Sequence, residues 1–372
     1  MTRCSCRRTF RSLKRYEAHM QKIKTFWLAL NYKCNNRCPG CYATQSGFVD
    51  MPMLPKDAFQ IVEMMSEAGA KDGLLIGGEP TLYKNLFEII ECGRAHGIEM
   101  KLVTNGRKLS NIDYLRKLID AGLKHASVSI EGAIEETHNR LTATRSFQEV
   151  IRAIKNCRDL GVSYNTLLTI NRQNYSEVIP LAEFLHSLGV ANILYNIGLP
   201  SCGKDSEPDE EYLLNPAEVA AVIENAYLIL KARGIKVKFF ATVPLCLIKE
   251  EVLSSMLRDN YISDGVHCHI YYGTGVVFEP NGNVLPCTHF VNHPLFNLKK
   301  NGITKSKGFA DKWYGEKGIH GSFRKALWKY PHENCRGCKH WGKCIGGCPF
   351  LWLHFNPREI FSMKGGDKVV GS

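Results

Sequence analysis

The sequence predicts an α/β protein in which a partial (β/α)6 barrel of the TIM-barrel type is followed by a small cysteine-rich domain. Two observations predict this fold: strand-like and helix-like segments alternate over residues 25–240, and the alternation stops near residue 244. Regular alternation of this kind implies a parallel sheet with helices outside it. Six strands are too few for a closed eight-stranded barrel, so we expect an open one with functional groups at the carboxyl ends of its strands.

Each predicted strand is short and apolar, and a segment with helical periodicity follows it. We expect strands at 26–30, 74–76, 99–103, 126–130, 164–170 and 193–196. We expect helices at 57–68, 86–95, 114–121, 147–160, 177–188 and 216–232. The predicted divisions are a basic N-terminal arm at 1–24, the barrel at 25–243, the cysteine-rich domain at 244–357 and a tail at 358–372.

Composition favours a packed, soluble, cytoplasmic protein. The chain has 372 residues, of which 44% are hydrophobic, and a formal net charge of +12. No apolar run reaches the ~18–20 residues of a membrane helix, and the N-terminus lacks the apolar segment of a secretory signal. We therefore expect no membrane partner. The positive charge favours an anionic partner, and we prefer an acidic peptide to nucleic acid. The basic N-terminal arm is either solvated or a docking strip for such a partner.

The chain contains 15 cysteines, and their short spacings are typical of metal sites. Cys34, Cys38 and Cys41 form a C-x3-C-x2-C loop directly after the first predicted strand. Zinc usually takes four ligands, and no obvious fourth lies nearby in the sequence. A 4Fe–4S cluster held by three thiolates keeps one iron open for a ligand. A zinc knuckle remains the alternative interpretation.

This cysteine loop resembles the signature of radical S-adenosylmethionine (SAM) enzymes. The resemblance implies that SAM chelates the open iron and is cleaved reductively to a 5′-deoxyadenosyl radical. Tyr42 matches an aromatic residue that the family often carries there. Gly77, Gly78, Glu79 and Pro80 resemble the family's GGEP turn, in which Glu79 would accept hydrogen bonds from the methionine ammonium of SAM. No catalytic acid or base is predicted.

Further SAM contacts are implied where the third, fourth and fifth strands end. Thr104 and Asn105 correspond to the family's TNG segment, and Ser129 and Glu131 correspond to its ribose-binding polar groups. Arg140 corresponds to an arginine for the SAM carboxylate, and Asn171 corresponds to an asparagine after the fifth strand. The family more often has Asp where this chain has Glu131.

A second group of cysteines in the tail resembles the SPASM extension of radical SAM enzymes. The ordered residues are Cys268, Cys287, Cys335, Cys338, Cys344 and Cys348. The resemblance implies one auxiliary iron–sulfur cluster at Cys268, Cys287 and Cys348, and a second at Cys335, Cys338 and Cys344. An Asn-Gly turn within 276–287 predicts a β-hairpin that brings Cys268 and Cys287 together.

The tail departs from that family at one point, because no cysteine follows Cys348. The alternatives for the second cluster are an open iron, a ligand from His340 or His354, a reach-back by Cys246, or loss of the cluster. A zinc ribbon built from Cys335, Cys338, Cys344 and Cys348 is a further alternative. The other cysteines are interpreted as core residues (Cys92 and Cys157) and thiols without a ligand role (Cys4 and Cys6). Cys202 is either an ordinary loop thiol or a radical-relay thiol.

The resemblance implies modification of a ribosomally synthesised peptide or a protein by crosslinking, epimerisation, excision or oxidation. The alternatives are a small-molecule substrate, such as an aminoglycoside or nucleotide, and a non-catalytic iron–sulfur or zinc module. The implied cofactors are SAM, the 4Fe–4S cluster that binds it, and one or two auxiliary clusters. The implied partners are a peptide with a leader, a flavodoxin- or ferredoxin-type electron donor and a separate small leader-recognition protein.

Overall fold

The computed structural model describes residues 23–45, 50–200, 211–240, 242–262, 268–315, 318–319, 331–342 and 344–362. Four sets of predictions fall outside these residues. They concern most of the N-terminal arm including Cys4 and Cys6, the thiol of Cys202, most of the loop that follows the sixth strand, and the tail after residue 362.

One sheet organises the described residues. Its strands are β1 (Thr25–Asn31), β2 (Asp72–Gly77), β3 (Glu99–Thr104), β4 (His125–Ser129), β5 (Ser163–Ile170), β6 (Ile193–Ile197), β7 (Val237–Phe239), β8 (Gly275–Phe278), β9 (Asn283–Leu285) and β10 (Phe296–Asn297). The order is β10-β9-β8-β1-β2-β3-β4-β5-β6-β7. Strands β1 to β7 are parallel, β8 lies parallel to β1, and β9 and β10 add antiparallel pairs. The carboxyl ends of β1 to β7 therefore meet at one edge.

Helices bury their apolar faces against this sheet in one continuous core. They are α1 (Pro55–Glu67), α2 (Leu86–Ala95), α3 (Ile112–Ala121), α4 (Glu135–Thr142), α5 (Phe147–Asp159), α6 (Val178–Ser187), α7 (Pro216–Ala232), α8 (Glu250–Arg258), α9 (His269–Tyr272), α10 (Ser306–Trp313), α11 (Leu351–His354) and α12 (Pro357–Ser362). Capping explains where some of them begin. At the start of α7, the side chain of Asn215 accepts hydrogen bonds from two backbone N–H groups, and the Glu218 carboxylate accepts one from the backbone N–H of Asn215. No helix among the described residues is long and apolar enough to cross a membrane.

Strand β1 shows how the sheet separates the core from the barrel interior. Phe26, Leu28 and Leu30 point to one face and are fully buried, which stabilises the fold by about 1.5–3 kcal/mol for each side chain. Trp27 points to the other face and lines an internal cavity. The alternation of side chains along a strand thus leaves the inner face of the sheet available for a site.

The α/β partial barrel is confirmed, and all six predicted strands and helices are present with small shifts at their ends. The hairpin is also confirmed, with Gly282 at a φ of 89° in its turn. Strand β7 and helix α4 were not predicted, since the first is short and the second lacks an apolar stripe. The pairing of β8 with β1 was not predicted either. It joins Thr25 to Gly275, so the sheet continues across the predicted boundary at 243, and that division stays a prediction.

Candidate cluster and SAM site

A cavity of about 1180 Å³ lies inside the barrel. The segments that line it are the cysteine loop after β1, the ends of β2 to β6, and parts of the tail. Seven of the nine predicted cysteine ligands line it: Cys34, Cys38, Cys41, Cys268, Cys287, Cys344 and Cys348. Cys335 and Cys338 do not. The structure therefore brings the first cysteine group and most of the second to one space.

The Gly-Gly turn holds the start of the cysteine loop against the end of β2. The N–H of Gly78 donates to the carbonyl of Asn31 at 2.8 Å, and that of Glu79 donates to the carbonyl of Lys33 at 2.9 Å. A Cβ atom at Gly77 or Gly78 would overlap these backbone atoms, and Gly77 has a φ of 136°. Glycine is therefore required at both positions, and both residues line the cavity.

The Glu79 carboxylate is fully buried beneath this turn. Its Oε1 accepts from the N–H of Thr81 at 3.0 Å, the Thr81 hydroxyl at 2.6 Å and the Thr104 hydroxyl at 2.7 Å. Its Oε2 accepts from the N–H of Asn105 at 2.8 Å. Burial raises the pKa of Glu79, although these donors oppose the shift. The carboxylate thus ties the GGEP turn to the TNG segment, and its hydrogen bond to SAM stays a prediction. Pro80 is buried at the start of a short 3-10 turn.

Two donors surround the sulfur of Cys34. The N–H of Asn36 lies 3.3 Å from Sγ, and Nδ2 of Asn105 lies 3.8 Å from it. Asn105 also donates to Oδ1 of Asn35 at 2.7 Å, which holds the TNG segment on the loop. Burial raises the pKa of the Cys34 thiol and these two donors lower it. Such donors stabilise a thiolate, which is the form that binds metal.

Arg107 was not predicted, yet it fastens the cysteine loop to the barrel. Its Nη1 donates to the carbonyl of Asn35 at 2.6 Å. Its Nε pairs with Glu149 of α5 at 2.6 Å. The only signal in the sequence was its place directly after the TNG segment. A charged donor to a loop carbonyl restrains the backbone between the first two cysteines.

The three loop thiols lie close enough to influence one another. Burial raises the pKa of Cys38, and the nearby Glu131, Cys41 and Cys34 raise it further. Unligated thiolates are therefore costly here. A bound metal centre reverses that balance because its positive charge deprotonates the thiols that coordinate it. The loop thus fits a cationic centre.

Aromatic side chains flank the loop on two sides. Tyr42 lines the cavity, and its hydroxyl donates to the carbonyl of Gly77 at 3.3 Å. The ring of Tyr212 lies directly against Gly40, where a Cβ atom would meet it at 2.7 Å. Tyr212 also hydrogen bonds to the side chain of Asn171, which lines the cavity. Tyr212 was not predicted, because no motif marks it.

Ser129 and Glu131 line the cavity at the end of β4. Burial raises the pKa of Glu131 to about 7, so this carboxyl group can both give and take a proton near neutral pH. The N–H of Glu131 donates to Nδ1 of His138 at 3.2 Å, and Nε2 of His138 is 3.0 Å from the Ser146 hydroxyl. This buried imidazole holds the turn that presents Glu131.

The structure does not bring Arg140 to the cavity. Its guanidinium donates to Oε1 of Gln173 at 3.0 Å and to the carbonyl of the same residue at 3.2 Å, on the exposed face of α4. Arg140 is absent from the cavity lining. Its predicted contact with the SAM carboxylate stays a prediction.

The tail cysteines divide into two groups. Cys268, Cys287 and Cys348 all line the cavity. Burial is the largest cause that raises the pKa of Cys348, and the nearby Cys268 and Cys287 raise it further. Cys344 also lines the cavity and has Cys338 near it. The assignment of these cysteines to two auxiliary clusters, or of four of them to a zinc ribbon, stays a prediction. Among the described residues, no three His, Cys, Asp or Glu side chains converge as they would around a single ion.

His289 also lines the cavity and was not predicted. Its ring lies between Tyr42, with ring centres 6.4 Å apart, and Phe350, at 5.4 Å. Burial lowers its pKa to about 4, so the imidazole is neutral at physiological pH. Its position two residues after Cys287 was the only signal in the sequence.

A three-cysteine loop at the carboxyl edge of a parallel partial barrel, beside a Gly-Gly turn, is the arrangement expected of a protein that binds SAM through a 4Fe–4S cluster. Residues 29–185 match the Radical SAM superfamily model. This part of the chain is therefore similar to the radical SAM superfamily, whose members use that cluster and SAM. Cys34, Cys38 and Cys41 would hold the cluster, and Gly77, Gly78, Thr104 and Asn105 border the adjacent space.

Curated relatives and solved structures extend the comparison. An AdoMet-dependent heme synthase of Methanosarcina barkeri is 27% identical over 264 residues, which cover 68% of this chain and 73% of the relative. A probable GTP 3′,8-cyclase of Saccharolobus islandicus is 30% identical over 196 residues, which cover 50% of this chain and 63% of the relative.

Two solved structures share the fold. Native anSMEcpe with bound AdoMet superposes with a TM-score of 0.66 at 21% identity, covering 88% of this chain and 89% of that one. Streptococcus suis SuiB bound to precursor peptide SuiA superposes with a TM-score of 0.68 at 17% identity, covering 96% of this chain and 80% of that one.

Proposed function

We propose that this protein cleaves SAM reductively and uses the 5′-deoxyadenosyl radical to abstract hydrogen from a peptide or protein side chain. The observation that carries this proposal is the shared cavity, which is lined both by the cysteine loop and by four of the tail cysteines. The bound cluster and SAM supply the radical. We place the protein in the cytoplasm, because its cysteines require a reducing compartment or bound metal.

The chain's own residues prepare the cavity for a reactive intermediate. Trp27, Leu74 and Val277 give its walls an apolar surface, which excludes water from the reacting groups. Glu131 and Asn171 supply polar atoms near the cysteine loop. The cavity exceeds the roughly 300–1,000 Å³ of ordinary ligand pockets, so it has room for a substrate beside SAM.

The tail supports a peptide substrate. Its cysteine spacing resembles that of the SPASM extension, and we propose that Cys268, Cys287 and Cys348 hold an auxiliary cluster beside the substrate. We also propose that a separate small protein or the basic N-terminal arm recognises a leader peptide. Binding through the arm alone should weaken steeply with added salt, because exposed charges are screened beyond ~8–10 Å.

A second candidate substrate is a tetrapyrrole. The observation that favours it is the long alignment with the heme synthase, which spans 264 residues and reaches beyond the barrel's matched domain. The same cavity would then hold a large planar molecule against its apolar wall. This candidate keeps the radical chemistry and changes only the substrate.

Anaerobic reconstitution followed by product analysis tests the proposal. With SAM and dithionite, the protein should form 5′-deoxyadenosine, whereas the triple variant Cys34→Ala, Cys38→Ala, Cys41→Ala should not. Cys92→Ala is the matched control, since this thiol lies on α2 away from the cavity lining. Cleavage of SAM by the triple variant would sink the proposal.

Two substrates then separate the candidates. A mass change in a co-expressed precursor peptide supports peptide modification, and turnover of iron coproporphyrin III supports the tetrapyrrole.

The reconstituted protein should contain about eight to twelve irons, from two or three four-iron clusters. About four irons together with stoichiometric zinc would favour a structural zinc site in the tail.

A further inference from the structure

We propose that Cys246 is the fourth thiolate of a 4Fe–4S centre that it shares with Cys335, Cys338 and Cys344. This inference deepens the proposed function and rests on it, because it concerns the second auxiliary centre of the same enzyme. It decides whether that centre has an open iron.

The second auxiliary centre has only three of its four ligands if Cys348 belongs to the first. Cys348, the nearest cysteine in the sequence, lies with Cys268 and Cys287 on the cavity wall. Cys335 and Cys338 do not line the cavity, whereas Cys344 does and has Cys338 near it. A cluster held by the latter three thiolates therefore needs a ligand from another part of the chain to complete the usual set of four.

Two contacts bring the segment that contains Cys246 alongside the loop 338–344. At one end, the N–H of Leu245 donates to Sγ of Cys344 at 3.4 Å. At the other end, Glu250 of α8 accepts from Nζ of Lys339, the residue after Cys338, at 2.8 Å. Cys246 lies between these contacts along the chain, so it is held next to the loop that carries two of the ligands.

The local fold leaves the Cys246 side chain less buried than its two neighbours. Leu245 and Leu247 flank it in a short 3-10 turn, and both are buried in the core. Cys246 is only half-buried, as is Cys338, and neither lines the cavity. The turn thus buries its two leucines and leaves the thiol partly accessible outside the cavity, as the thiol of Cys338 is.

The side chains of the two histidine alternatives make contacts with other residues. Nε2 of His340 lies 3.3 Å from a carboxylate oxygen of Glu250. The ring of His354 packs on Phe355, with ring centres 4.5 Å apart. A set of four thiolates has one consequence for function: each iron of the cluster has a protein ligand, so substrate cannot bind to this centre.

The test uses a background that lacks the SAM-binding cluster, with Cys34, Cys38 and Cys41 changed to Ala. In this background, Cys246→Ala, Cys246→Ser and Cys338→Ala are compared with Cys92→Ala as the matched control. Iron, sulfide and zinc are measured after anaerobic reconstitution, together with the electron paramagnetic resonance spectrum of the reduced protein. Cys246→Ala should lose about four irons per chain or show a changed spectrum, as Cys338→Ala should. Cys246→Ser should retain more iron than Cys246→Ala and have shifted g-values, because oxygen replaces sulfur on one iron.

A different result overturns the inference. If Cys246→Ala matches Cys92→Ala in iron content and in its spectrum, Cys246 is not a ligand. If the Cys246 variants lose zinc relative to Cys92→Ala, the centre is a zinc site and not an iron cluster. The outcome is independent of the proposed function, because deoxyadenosine formation is measured in the chain that retains Cys34, Cys38 and Cys41.

Discussion

Arg107 links the barrel to the cysteine loop, and we expect its removal to release iron from that loop faster. Its bond to the Asn35 carbonyl is 2.6 Å long, and a hydrogen bond to a charged group contributes about 1.5–3 kcal/mol. The Arg107 side chain is 23% exposed, so screening reduces this to about 1–2 kcal/mol. Since 1.4 kcal/mol is a factor of ten, Arg107→Ala should make local opening roughly 5–30-fold more frequent.

The assay follows anaerobic iron transfer to a colorimetric chelator, together with loss of the cluster signal that changes when SAM is added. Glu149→Gln is the matched control. It removes only the ion pair with Arg107, whose two side chains are 23% and 38% exposed, and such a pair contributes about 0.2–1 kcal/mol. Arg107→Lys should retain part of the protection. Release from Arg107→Ala at the wild-type rate, or no faster than from Glu149→Gln, would refute the reasoning.

Three further outcomes can be checked. Gly78→Ala should lower iron content and SAM binding in equilibrium dialysis, because its Cβ would overlap backbone carbonyls just after β1. Gly308→Ala should change neither, because a Cβ atom at this position would have no neighbouring atom closer than 3.9 Å. Burial lowers the pKa of His138 to about 4, so the unfolded chain takes up a proton near pH 6.5 that the folded chain does not. The free energy of unfolding should fall by up to ~3 kcal/mol from pH 7 to pH 4, and His138→Gln should lose this component in urea titrations. Tyr212→Phe should cost ~1 kcal/mol of stability through one lost hydrogen bond, and Tyr212→Ala should cost more, because the ring against the cysteine loop is also removed.

Local patterns in the sequence were sufficient for most of the barrel. A strand such as β5 and a helix such as α5 show their period within a dozen residues, because one face of each is buried. The pairing of β8 with β1 has no such signal, since it joins Thr25 to Gly275. Which strands become neighbours depends on the packing of the whole chain. The three residues of β7 were too few to show a period.

The site was predictable where its chemistry depends on spacing. The cysteines of each group, and the residues of the Gly-Gly turn, lie close together in the sequence, so their pattern can be recognised without knowledge of the fold. Arg107, Tyr212 and His289 reach the site from separate segments. Arg107 follows the TNG segment and His289 follows Cys287, but no motif indicates the role of any of the three. The segment of Arg140 resembles a SAM-binding one, and Gln173 holds its guanidinium outside the cavity lining, so its contact with SAM stays a prediction.

The position of β1 has a consequence for synthesis of the protein. This strand is formed early, but one of its two neighbours is β8, and residues 25 and 275, which pair, are 250 positions apart. Until β8 has left the ribosome, one edge of an apolar strand has unsatisfied backbone groups, and such edges recruit strands from other chains. Contacts over so long a separation also form slowly. A fragment that ends at residue 243 should therefore aggregate when expressed alone, and the nascent chain should depend on chaperones until its final third emerges.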